Sequence, residues 1–141
     1  MKIIIVGMCA VVSGCVGMVG LAGGSAKAYD GGERSDAQVA TLFTARQGSL
    51  FAKIEGASAM LSRVDDLVVG DDMLKGYPHV TKVLPGRHRI VSKCLVGSKF
   101  AFPAWTATLE AGHYYQLICQ DNGDGYASAS YIDRGRENPV K

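Results

Sequence analysis

The sequence predicts an all-β fold, a small β-sandwich of about seven short, mainly antiparallel strands behind an N-terminal export segment. Three observations carry that expectation. Apolar residues recur at every second position in several short stretches. Gly, Pro, Asn and Asp gather between those stretches at intervals of roughly 8–12 residues. Outside residues 57–76, no stretch of the folded part sustains the 3.6-residue apolar period of a helix. The chain has 141 residues, of which 48% are hydrophobic and 20% charged. That is one domain's worth of material with enough apolar content to bury a core.

In chain order, residues 39–44 form the first β-type run, followed by the turn Arg46-Gln47-Gly48-Ser49. Residues 50–55 form the second, with Leu50, Ala52 and Ile54 on one face, and Gly56 ends it. Residues 57–76 are a long connection in which Ala57, Met60, Leu61, Val64, Leu67 and Val68 have partial helical spacing. A short helix and an irregular flap are the two readings, and connections of that length are often functional. Residues 79–84 are the third run, closed by Pro85-Gly86, a pair suited to the centre of a turn. Residues 87–95 alternate, with His88, Ile90, Ser92 and Cys94 on one face and Arg89, Val91, Lys93 and Leu95 on the other. A loop at 96–103 leads to residues 105–109, where Trp105, Ala107 and Leu109 share a face. The turn Glu110-Ala111-Gly112 opens the run 113–120, and a Gly/Asn/Asp turn at 121–125 opens the run 127–133. The tail, 134–141, is polar.

Residues 1–28 are laid out as an export signal: Lys2 precedes an apolar run from Ile3, and no acid occurs before Asp30. Two processing sites compete. Val12-Ser13-Gly14-Cys15 resembles a lipobox, in which the cysteine becomes lipid-modified and N-terminal. Ala26-Lys27-Ala28 is an A-x-A site that would release a soluble protein. The short apolar stretch 3–12 fits the first, which makes Cys15 the candidate lipidation site; the apolar residues 16–24 are unlike the usual polar tether. The expected division is therefore an export segment at 1–28, a linker at 29–38 and a sandwich domain at 39–141. Removing 1–28 takes away Lys2 and Lys27 and leaves 13 basic and 13 acidic residues. That balance gives no basic field for nucleic acid.

Four cysteines are present, and Cys9 and Cys15 lie in the export segment. Cys94 and Cys119 remain, and an oxidising compartment would join them. Their spacing lacks the close ligand pairs of a zinc site. No other constellation points to chemistry. His79, His88 and His113 have no metal-ligand spacing. The acidic doublets Asp65-Asp66 and Asp71-Asp72 match no calcium-loop pattern, and Gly123 stands where a loop at 121–125 would need an oxygen ligand. Ser58 and Ser62 lack a nucleophile-elbow context. Arg87, Arg89, Lys93 and Lys99 form a modest basic cluster suited to an anionic glycan.

The phrases Lys53-Ile54-Glu55-Gly56, Leu84-Pro85-Gly86-Arg87-His88, Ala111-Gly112-His113-Tyr114-Tyr115 and Tyr131-Ile132-Asp133 come in an order that resembles small envelope lipoproteins of Gram-negative bacteria with a PEGA-like β-sandwich module. The resemblance covers about residues 29–133, rests on turn chemistry, and departs at Glu55, where Asp is usual. It implies a periplasm-facing surface module without catalysis. The sequence reading is thus a non-enzymatic, exported cell-envelope module, an outer-membrane lipoprotein in preference to a soluble periplasmic protein. Its partner would be an envelope protein or glycan, with membrane attachment through Cys15 and no cofactor, metal or catalytic residue. The alternative is a small periplasmic inhibitor or ligand-binding protein, with 57–76, Phe100 and Phe102 as its contact surface.

Overall fold

A computed structural model describes residues 24–44, 59–73 and 76–140. Two sheets pack face to face as an all-β sandwich. The strands are β1 (Ser25–Lys27), β2 (Ala40–Thr44), β3 (Ala59–Val64), β4 (Leu67–Val68), β5 (Val80–Val83), β6 (Gly86–Val96), β7 (Lys99–Ala101), β8 (Ala104–Leu109), β9 (Tyr114–Gly123) and β10 (Tyr126–Asp133). One sheet runs β1-β5-β2-β9-β10; the other runs β4-β3-β6-β7, with β8 also paired to β6. Most neighbours are antiparallel, but β1 with β5 and β2 with β9 are parallel.

The alternation read from the sequence is the alternation that packs. Ile90, Ser92 and Cys94 of β6 are buried, as are Ala107 and Leu109 of β8 and Tyr115, Leu117 and Cys119 of β9. Facing rows meet in one core with Leu42, Leu61, Val64 and Val83. Ser92 is the polar member of its row, and the Trp105 ring N–H donates to its hydroxyl at 3.1 Å. Tyr115 is 2% exposed; its hydroxyl accepts the Glu110 N–H at 2.8 Å, which ties the turn before β9 back onto the strand. The β9–β10 hairpin closes on Asp124-Gly125, both at positive φ (52° and 80°). Two positive-φ residues twist the turn in the sense the strands need, which is why the Asp-Gly pair sits there.

Three expectations are corrected. Residues 57–76 hold no helix over their described part: 59–64 and 67–68 form a hairpin around Asp65-Asp66, and irregular chain follows at 69–73. Leu61 and Val64 are both buried although three positions apart, because the register against β6 slips between Leu61 and Arg63. That β-bulge inserts one residue into a period of two and imitates a helical i, i+3 stripe. The folded body also begins upstream of residue 39. Ser25–Lys27 pairs with β5, Ala28 N–H bonds Lys82 O at 2.8 Å, and Ala28 lies in the core. The expected linker 29–38 packs on the same sheet, through a buried Tyr29, the Asp36–Lys82 ion pair at 3.0 Å and Tyr114 donating to Asp36 at 3.4 Å. Finally, the expected loop 96–103 contains β7, which continues the β6 hairpin. The run expected at 50–55 lies outside the described residues.

Cys94 on β6 and Cys119 on β9 are joined as a disulfide, with Cα atoms 5.8 Å apart. The bond crosses from one sheet to the other, since β6 and β9 belong to different sheets. It closes a loop of 25 residues and so removes conformational freedom from the unfolded chain. Replacing both cysteines by alanine is expected to lower the unfolding free energy by about 3 kcal/mol. Urea unfolding with and without the pair measures this, and a loss well under ~1 kcal/mol would mean that the packed sheets alone hold their register.

Candidate functional site

Polar chemistry gathers on β6 and beside its ends. Alternation points Lys93 away from the core, yet its side chain is only 5% exposed. Chain folded over the outer side of β6 covers it. The Lys93 ammonium lies 3.9 Å from the Phe100 ring centroid, 4.9 Å from Tyr77 and 5.9 Å from Phe102. It is paired with Asp72, and the Tyr77 hydroxyl hydrogen-bonds to both. A cation enclosed by three ring faces is attracted by each of them, more strongly once water is excluded. Burial works against the Lys93 charge, but the bonds to Asp72 and Tyr77 outweigh it and hold its pKa above the ordinary lysine value. The Lys93 bond, ahead of the opposing effect of burial, holds the Asp72 carboxyl below the usual range. Burial pushes the Tyr77 hydroxyl up.

The approach of Tyr77 depends on one glycine. A Cβ on Gly70 would stand 2.6 Å from Leu61 O and 2.7 Å from Tyr77 Cδ1, closer than packed atoms allow. The surface around the enclosure is mixed: Phe100 is 52% exposed and Phe102 54%, and the Asp72 carboxylate beside them is exposed as well. Asp72 of the 57–76 connection, Phe100 in β7 and Phe102 just beyond it therefore meet around Lys93. Of the basic cluster expected from Arg87, Arg89, Lys93 and Lys99, three residues are exposed, whereas Lys93 is enclosed and paired with Asp72. Tyr77 and Asp72 were not legible as its partners.

Two histidine–aspartate pairs complete the inventory. His88 Nδ1 lies 2.7 Å from Asp65 Oδ2 and its Nε2 lies 2.7 Å from Leu84 O. Asp65 also accepts the Arg89 N–H at 2.9 Å, while its own N–H donates to Arg89 O at 2.7 Å. The pair clasps the β3–β4 turn to β6. Asp65 sits at φ 52°, a region that Asp and Asn enter more readily than other side chains. His113 Nδ1 lies 3.0 Å from Asp133 Oδ2, with Glu110 and Arg136 near its Nε2 at 3.5 and 3.4 Å. In both pairs each ring nitrogen already faces a protein group, so the geometry is that of a strand clasp. The acidic doublets are similarly engaged: Asp65 with His88, Asp72 with Lys93, and Asp71 accepting the Met73 N–H at 3.0 Å. Cys15, the candidate lipidation site, lies outside the described residues, as does Ser58.

Comparison of the chain with family models, with curated proteins and with solved structures found no match.

Lys93→Met keeps the apolar stem and removes the ammonium. The Asp72 carboxyl then loses its first partner, and its pKa is expected to rise toward the ordinary value of 3.8. Carboxyl-carbon NMR titration reads this directly, and an unmoved Asp72 would remove Lys93 as its partner. Asp65 gives a second test. Partial burial pushes its carboxyl up, and the bonds from His88 and the Arg89 N–H outweigh that, leaving it below 3.8. A depressed carboxylate stabilises the fold fully above its unfolded pKa and loses that contribution as pH falls through the folded one. Asp65→Asn should therefore destabilise at neutral pH, with the gap to the native protein closing as pH drops below 3.8. Urea midpoints at pH near 7 and near 3 decide it; a gap that grows in acid would reverse the sign.

Proposed function

We propose that this chain is a non-enzymatic, exported module of the bacterial cell envelope, tethered as a lipoprotein through Cys15 and serving a partner-binding role. The observation that carries this reading is the Cys94–Cys119 bond between the sheets. Such bonds persist where the surroundings are oxidising, which is where the export segment would deliver the chain.

The position of β1 favours Cys15 over the A-x-A site. A cut after Ala28 would remove a paired strand, Ser25–Lys27, together with a residue buried in the core. A cut before Cys15 keeps both and leaves residues 15–24 as the tether. The partner-binding role is favoured over a purely structural one by the half-exposed rings of Phe100 and Phe102, which lie over the buried Lys93 ammonium. Exposed aromatic side chains are common anchors of binding surfaces. The same rings support the alternative of a small periplasmic inhibitor or ligand-binding protein, which differs only in what it holds.

The test is processing. Mass analysis of the chain recovered from cells should place the mature N-terminus at a diacylated or triacylated Cys15. Cys15→Ala should abolish incorporation of labelled palmitate. Labelling that survives in Cys15→Ala would overturn the tether, and a mature chain starting at Tyr29 would replace it with the soluble alternative. Free Cys94 and Cys119 thiols in chains trapped inside cells would overturn export itself.

A further inference from the structure

The edges of the two sheets are guarded on one side only. On one side β1 is three residues long and carries Lys27, and β4 is two residues long between Asp65-Asp66 and Asp71-Asp72. Short strands and charges of this kind keep other chains from adding on. On the opposite side, β10 is the last strand of its sheet and β8 lies at the outer edge of the other. β10 runs eight residues, and Tyr126-Ala127-Ser128-Ala129-Ser130-Tyr131-Ile132 contains no charge and no proline. β8, Ala104-Trp105-Thr106-Ala107-Thr108-Leu109, contains none either.

The ladder fixes which groups of β10 are available. Tyr114 bonds Arg134 and Gly135, so positions 116, 118 and 120 of β9 exchange hydrogen bonds with Ile132, Ser130 and Ser128. Ala127, Ala129 and Tyr131 therefore turn their backbone N–H and C=O groups outward, where no strand pairs with them among the described residues.

We propose that this edge is covered by the same edge of a second copy, β10 pairing antiparallel with β10 about a twofold axis through Ala129. The choice of occupant rests on the strand's complementarity to itself. In that register Ala129 faces Ala129, and Ala127 faces Tyr131 of the second copy, each with outward backbone groups. On the solvent face, Ser128 meets Ser130, two hydroxyls able to bond. Tyr126, 74% exposed in the single chain, meets Ile132. Hydroxyl and aromatic–β-branched pairs are combinations that stabilise neighbouring strands, and the paired span opposes no like charges. The product is a continuous ten-stranded sheet, two five-stranded sheets joined edge to edge.

Two double variants at the same exposed positions test the register. S128K/S130K places lysine against lysine at both symmetric contacts and should weaken association about 10-fold or more. S128K/S130E places lysine against glutamate and should restore it. Sedimentation equilibrium of the full chain reads the association, and circular dichroism checks that each variant is folded. A photo-crosslinking residue at position 128, used in cells, should give a product of twice the chain's mass. A native chain that stays monomeric, an association indifferent to S128K/S130K, or crosslinks only to a different polypeptide lying on the edge would each overturn the proposal.

Discussion

The sandwich depends on β6 and β9 being held to each other. They are the two longest described strands, each central or next to central in its own sheet; β6 pairs with three others and β9 with two. The core between them mixes small side chains, Ala28, Ala40, Val64, Val69, Val83 and Ala107, with as many large ones, Leu42, Leu61, Ile90, Leu109, Tyr115 and Leu117. Each alanine in it gains less by leaving water than a leucine would. A domain this small has little stability to spare, so a covalent link that spares the folded state a loop closure is a large fraction of the total. Cys94 and Cys119 supply it, and Val96, Ala127 and Ala129 close around the bond.

β6 does more than pack. Its inner row, Ile90, Ser92 and Cys94, faces the core, and its outer row carries Lys93. Near its start His88 holds the β3–β4 turn, and near its end Lys93 holds the chain around Asp72, Tyr77 and β7. Both are noncovalent clasps. The Asp65 and Asp72 carboxylates are lowered, so each is lost as a charged partner in acid, and Lys93, the partner of Asp72, is raised, so its charge is lost in alkali.

Local patterns made much of this legible. The period-two stretches at 87–95, 105–109, 113–120 and 127–133 became β6, β8, β9 and β10, and the Asp-Gly turn and disulfide fall where turn chemistry and cysteine arithmetic put them. What was not legible has particular causes. The bulge at Ser62 converted a strand's spacing into a helix's. Ser25-Ala26-Lys27-Ala28 reads equally as a processing site and as a short strand with Ala26 and Ala28 inward, and only pairing with β5, some fifty residues on, separates the two. The burial of Lys93 is not legible because alternation assigns it to the outer face; the signal present is the set of aromatics, Tyr77, Phe100 and Phe102, in the two segments that fold over it.

β1 and β10 are the two outer strands of the same five-stranded sheet. With neighbouring strands about 4.8 Å apart, the point where the chain enters the sheet lies roughly 19 Å from the edge that β10 presents. Pairing through β10 thus leaves β1 at the far ends of the joined sheet, two strands that approach no part of the interface. Had β1 lain beside β10, the chain entering the sheet and a second copy would compete for one edge. With the two at opposite edges, the edge pairing proposed above would leave free both the point where the chain enters the sheet and the rings of Phe100 and Phe102, borne on the other sheet.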